Sequence, residues 1–524
     1  MKKQDISKLV QCILQMANRI IYGIENTRAP FFIFIFTFIS SVTLRNFLEP
    51  FSTHDTVSST RFTHYYLFHI VLTLALIVLF RIATQSPIKK VARVVLIGYI
   101  VAIIPPVLDL LISGGAGLWE TYLIPGEHSQ LLLRFFTFFG DFKEFGVTPG
   151  MRMEIGLALV AGFLYIYTKR RNLIKGIWYT FLVYTTIFCF FIAPFILKAI
   201  IELFGFTYNY SDRLFIDFYS AISILLGIVI AILVNKQYFL IILRDMRLLR
   251  VFYFLSMFTI GISIGLSVGN FGLTIHKIFH LLFITASIVC AFMYSVITNN
   301  FADYDIDRVS NPKRPLFNAT VNIDVYQKLA WIFLGLALFY SAIVDFTTLF
   351  LIVLFIGIYY LYSMPPIRFK RVTFFSKLAI STNSLALTLL GFFTITGRLH
   401  DVVPSIQYPS MIFPIYLIGI TAMANIIDIK DYLGDKQSGI RTLPVIFGLA
   451  RAKVIIGLLF VLTYSMLFFV VRFLNAPLYW FFIIMCLGIA QFILINWRKY
   501  RESAVFVVML VTIWLIIYMI FLYL

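Results

Sequence analysis

Charge is scarce in this chain. Of 524 residues, 13% are charged and only 24 are acidic, while 61% are hydrophobic. A water-soluble globular domain needs more charge than that on its surface. Cysteine is scarce too: Cys12, Cys189, Cys290 and Cys486 are scattered, with neither metal-ligand spacing nor a disulfide framework. The first 28 residues have no compact apolar core followed by a small-residue cleavage site, so a cleaved signal peptide is not expected. Low-complexity tracts are absent. What remains is apolar runs long enough to cross a bilayer, about 20 residues each. The chain therefore reads as an all-α, polytopic membrane protein.

Fifteen spans are expected. Six lie at about 31–48, 65–84, 92–112, 151–170, 174–204 and 214–235; nine follow at about 251–269, 276–299, 326–344, 346–363, 377–397, 410–428, 451–473, 478–497 and 503–524. The basic stretch from Lys236 to Arg250 separates a six-span module (1–240) from a nine-span module (241–524). A net charge of +19 invites a nucleic-acid reading, but the basic residues sit in short loops between spans. With the N-terminus inside and strict alternation, inside segments hold 33 of the 43 Lys and Arg. This is the positive-inside pattern, and it excludes nucleic acid as a natural partner. The expected host is the bilayer of the cell membrane.

Against this background two acidic clusters stand out. The first runs from Asn299 and Asn300 through Asp303, Asp305 and Asp307; the second holds Asp428, Asp431 and Asp435. Each follows a long apolar span, and both fall on the cytoplasmic side of the alternation. On a continuous helix, Asn299, Asp303 and Asp307 share one face, as do Asp428, Asp431 and Asp435. Inward-running spans would put these acids at helix C-terminal ends, where the macrodipole disfavours negative charge. Two facing acidic stripes suit magnesium, which takes carboxylate, water and phosphate oxygens. Metal beside lipid points to a phosphorylated lipid. The competing reading is polar helix ends at the interface. Arg308, Lys313, Arg314, Lys436, Arg441, Arg368 and Lys370 flank the clusters as phosphate-binding candidates. Each alone also fits a positive-inside anchor.

In these residues the chain resembles the UbiA superfamily of intramembrane prenyltransferases. That family carries an N-D-x-x-D-x-x-x-D motif after its second span and a D-x-x-x-D motif after its sixth, within nine spans. Here the motifs fall on Asn299, Asn300, Asp303 and Asp307, and on Asp431 and Asp435, with Asp428 a turn earlier; Asn300 stands where many members have Asp. Asn311-Pro312-Lys313-Arg314, Gly439-Ile440-Arg441 and Tyr362 to Arg371 also look like this family. The resemblance covers about 241–524 and implies a nine-helix domain that transfers a prenyl group from an allylic prenyl diphosphate to a hydrophobic acceptor. It implies two magnesium ions held by Asp303, Asp307, Asp431 and Asp435, with Asn299 and Asp428 completing the site. Lys370, Arg314, Lys436 and Arg441 would touch phosphate, and Tyr362 would lie near the allylic carbon. The implied acceptor is a quinone-type aromatic or a prenylglycerol phosphate. Two other classes stay open: a transporter or channel with cation-gating carboxylates, and a non-catalytic isoprenoid-binding protein. No resemblance is read in residues 1–240; of their near-membrane charges, Glu154 and Asp217 are expected to play structural roles, and Asp109 is a weak functional candidate.

Overall fold

The computed structural model describes residues 3–53, 58–140, 146–268, 272–304, 322–397, 412–437 and 439–523. The chain forms two compact units, Met1–Lys236 and Gln237–Leu524. Among the described residues, 14 helices are long and apolar enough to cross a membrane. The protein is a multi-pass membrane protein.

The first unit begins with the amphipathic helix α1 (Lys3–Asn26). Then come α2 (Phe31–Thr53), α3 (Ser59–Thr84) and α4 (Ile88–Gly98), which passes through a tight turn at Tyr99–Ile103 into α5 (Ile104–Ile112). The short α6 (Leu131–Phe136) lies in the long connection to α7 (Pro149–Arg170), followed by α8 (Leu173–Phe191), α9 (Ala193–Leu203) and α10 (Asp212–Val234). The expected span 174–204 is thus two helices. Its break falls at Ile192, just before Pro194, whose ring cannot continue a hydrogen-bonded ladder.

The second unit comprises α11 (Lys236–Asp245), α12 (Leu248–Val268), α13 (Ile275–Ala302), α14 (Ile323–Val344), α15 (Phe346–Ser363) and α16 (Thr373–Thr396). After an irregular helical pass come α17 (Ile427–Gln437), the short α18 (Leu443–Phe447), α19 (Leu449–Phe473), α20 (Tyr479–Asn496) and α21 (Glu502–Tyr523). Side chains cap several starts: Asp345 accepts from the Thr348 amide at 2.7 Å, and Thr274 from that of Lys277 at 3.3 Å. α12 and α16 pack with almost no space between backbones. A Cβ added at Gly261 would lie 1.9 Å from the Thr388 carbonyl oxygen, and one at Gly391 would lie 2.0 Å from that of Phe258. Without a hydrophobic drive in lipid, such close approach lets dispersion hold helices together.

The span expected at 410–428 is not a regular α-helix. Ile412–Pro414 leads into a π-helical stretch at Ile415–Ile420, then Thr421–Met423, then a 3-10 turn at Ala424–Ile426. Pro414 removes one donor from the ladder, and the register shifts. Neighbouring helices take up carbonyls there: Ser381 donates to Tyr416, and the Thr463 hydroxyl to Gly419 at 3.2 Å. Backbone groups within a membrane must find such partners.

Candidate active site

α13 carries Asn299 to the membrane edge and ends at Ala302, so Asp303 occupies its C-cap and donates its amide to the Asn299 carbonyl at 2.9 Å. Asn299 accepts from the Ser363 hydroxyl at 2.9 Å, which ties the end of α13 to the end of α15. The loop after α15 folds back over this junction. From it Lys370 pairs with Asp303, and the Arg368 guanidinium reaches the same carboxylate at 3.1 Å and the Ala302 carbonyl at 2.6 Å. Burial lowers the Lys370 pKa, with Asp303 opposing that shift.

The second cluster enters from α17. The irregular pass restarts the helix at Ile427, so Asp428 sits in a first turn and not at the C-terminal end expected from the sequence. Amide ends favour a carboxylate there. Asp428 is buried and pairs with Lys377 of α16; its second oxygen is buried without a hydrogen-bond partner among the described residues. Asp435 is pushed up to about 7, by burial first and then by the charges of Asp428 and Asp431. The stripe is therefore short of positive charge.

The two clusters line one cavity of about 1310 Å³. Asn299, Asp303, Tyr362 and Lys370 line it, as do Asp428, Asp431 and Asp435. Its apolar walls include Phe254, Phe292, Tyr359 and Ile420. Among the described residues, no three His, Cys, Asp or Glu side chains converge closely enough to hold a metal ion unaided. Asp303 is engaged by Lys370 and Arg368, and Asp307 lies outside the described residues. The donor set still suits a hard cation. It offers carboxylates, an amide carbonyl and one orphaned buried carboxylate oxygen, and magnesium takes its remaining oxygens from water and phosphate.

Other expected residues fall elsewhere. Arg308, Lys313 and Arg314 lie outside the described residues, as does Asp307. Lys436 and Arg441 are exposed and do not line the cavity; Lys436 sits 6.0 Å from the Tyr432 ring centre, and Arg441 offers its carbonyl to Thr373. Arg368 also stays off the lining. Asn300 is not a cavity residue. It is 1% exposed, and its amide nitrogen donates to Asp245 at 3.2 Å and Tyr326 at 2.9 Å. Arg247 donates to its carbonyl at 3.2 Å. One helical position from Asn299 turns the side chain by about 100°, away from the acidic stripe.

Five cations that sequence reading did not assign line the cavity: Arg244, Arg247, Arg250, Lys377 and Lys430. Arg247 and Arg250 belong to the basic stretch read as a module boundary. Lys377 lay at the start of an expected span, where an anchor reading is natural. Its signal was a lysine four residues into an apolar helix.

Residues 256–516 match the profile of the UbiA prenyltransferase family. This part of the chain belongs to that family. Among curated relatives, chlorophyll synthase of Avena sativa is 28% identical over 199 residues, covering 35% of this chain and 50% of the relative. Homogentisate phytyltransferase of Synechocystis is 29% identical over 186 residues, covering 33% and 55%. The chain spans about half the length of the curated relatives it matches. A solved UbiA homolog from Archaeoglobus fulgidus, bound to GPP and Mg2+, is 20% identical with a TM-score of 0.42, covering 54% of this chain and 99% of that one.

Proposed function

We propose that the second unit transfers a prenyl group from an allylic prenyl diphosphate to a lipophilic acceptor and releases diphosphate. The observation that carries this reading is the shared cavity: two acidic clusters and several cations line it together with aromatic and aliphatic side chains. A diphosphate with an isoprenoid tail has that same division of charge and grease.

Asp303, Asp307, Asp431 and Asp435 would hold two magnesium ions, with Asn299 and Asp428 beside them. Bound magnesium would neutralise charge building on the departing diphosphate. The chain's own cations add to this. Lys370 and Arg247 present N–H groups to the cavity, and such donors act most strongly where water is excluded. Tyr362 lines the same cavity as the acids, where its ring face would favour a developing allylic cation. Tyr359 packs edge-on against it at 6.2 Å and limits its freedom. The acceptor would be a quinone-type aromatic or a prenylglycerol phosphate. The positive-inside bias supports a site facing the cytoplasm, in the cell membrane.

The test uses membranes holding the full chain, magnesium, labelled prenyl diphosphates of several lengths and a lipid extract as acceptor source. Mass spectrometry is expected to find a new prenylated lipid that disappears in Asp303→Ala and Asp431→Ala. No magnesium-dependent product, together with no magnesium-dependent binding of prenyl diphosphate, would sink the reading.

A further inference from the structure

The first unit holds a cavity of its own, of about 330 Å³. Its shape can be read from the helices. On α3 its lining runs Tyr65, Phe68, His69, Leu72, Leu76 and Phe80, a stripe at three- and four-residue spacing. On α7 it runs from Met151 to Tyr165. Sixteen and fifteen residues of helix extend about 22 Å. The volume spread over that length makes a narrow slot, without room for two hydrocarbon chains side by side.

The two ends differ. Toward the start of α3 and α7 the cavity meets Arg45, Glu49, Glu120 and Glu154. Arg45, 4% exposed, pairs with Glu120, with Glu154 at 2.9 Å and with the Ala102 carbonyl at 2.8 Å, so both its terminal nitrogens are engaged. Glu120 is 5% exposed, and its other oxygen is buried with no hydrogen-bond partner among the described residues. Glu120 and Glu154 thus share one guanidinium. A buried acceptor left unpaired costs free energy until a donor reaches it. The opposite end is apolar, with Ile24, Phe80 and Gly162. Ile20 and Leu157, 55% and 40% exposed, open this wall toward lipid.

From this geometry we infer that the first unit binds a single-chain amphiphile whose head donates hydrogen bonds, a long-chain alcohol or amine. The chain lies along α3 and α7, and the head meets Glu120. An anionic head is excluded, because it would bring a further acceptor and a negative charge to a Glu120 oxygen that lacks a donor. This site therefore does not take the prenyl diphosphate proposed for the second unit, and it stands whether or not that proposal does.

The test is photo-crosslinking of the full chain in lipid nanodiscs. Four diazirine probes share one sixteen-carbon chain and end in hydroxyl, amine, carboxylate or phosphate. The hydroxyl or amine probe is expected to label peptides around Leu76 and Ala158 at least roughly tenfold above the anionic probes, and unlabelled alcohol or amine to compete. The stronger of the two identifies the head. Ala158→Phe is expected to remove labelling while the probe-free protein keeps its unfolding temperature. Should that variant fail to fold, Leu76→Trp, on the facing helix, takes its place. Equal labelling by the anionic probes would overturn the inference. So would labelling that no unlabelled amphiphile competes, or that survives in a folded variant with the slot filled.

Discussion

At the scale of single residues, Lys377 carries the sharpest consequence. It is 4% exposed and pairs with Asp428, itself 5% exposed. Removing one member of a buried pair strands the other's charge, at a cost of about 3–5 kcal/mol. Lys377→Met is therefore expected to lower the unfolding temperature in chelator. Magnesium should restore part of that loss, since a cation on the acidic stripe replaces the lost ammonium. Thermal unfolding of the variant with EDTA and with magnesium checks both points, and an unchanged midpoint in EDTA would count against the pairing. Asn300 makes a second case. Its amide holds Asp245, Tyr326 and Arg247 together. Asn300→Leu removes one hydrogen-bond partner each from the buried Asp245 carboxylate and from the Arg247 guanidinium, so a loss of about 1–3 kcal/mol is expected. Diphosphate binding should weaken with it, because Arg247 lines the cavity. Isothermal titration with inorganic diphosphate and magnesium measures that effect; unaltered affinity would leave Arg247 without a role in holding phosphate.

At the scale of elements, the α12–α16 contact depends on two glycines. A Cβ at Gly391 would overlap the Phe258 carbonyl, and no rotamer change relieves a clash with backbone. Gly391→Leu is expected to push the helices apart and to cost about 1–3 kcal/mol or more. Gly357→Ala serves as control, since a Cβ there meets nothing within 4 Å. Equal unfolding midpoints for the two variants would show that the close approach contributes little. The same element scale explains what sequence reading could reach. Long apolar runs are legible because their signal is local, and so is the three-and-four spacing that puts Asp428, Asp431 and Asp435 on one cavity wall. The π-helical stretch is not legible, since Pro414 announces a disturbance without saying how the ladder will re-form. Arg45 with Glu120 escaped as well. One sits near a span end and the other in a long connection, 75 residues apart, and only the folded chain brings them together. The motif places Asn300 beside Asn299, but the helix turn sends it to Asp245, Tyr326 and Arg247 and off the cavity lining.

At the scale of the molecule, the irregular pass at 412–426 decides the sidedness of everything after it in the second unit. Asp303, at the end of α13, and Lys370, after α15, line the same cavity as Asp428, Asp431 and Asp435. Both acidic clusters can sit at one membrane face only if the chain crosses between the end of α16 and the start of α17. A pass with broken hydrogen bonding can still cross when neighbouring helices satisfy its backbone, as Ser381 and Thr463 do here. Charge argues the same way. If the pass crosses, Arg498, Lys499 and Arg501 share a side with Arg368, Lys370 and Arg371, as the positive-inside rule requires. If it does not, the two basic loops lie on opposite sides. Ile367 and Leu478 are 50% and 48% exposed and flank the test. With the four native cysteines replaced, Ile367→Cys and Leu478→Cys should react with a membrane-impermeant maleimide from opposite sides of intact cells, Leu478→Cys from outside. Labelling of both from one side would mean that the pass does not cross. The second acidic cluster would then lie across the membrane from the first, and a shared diphosphate site would be impossible.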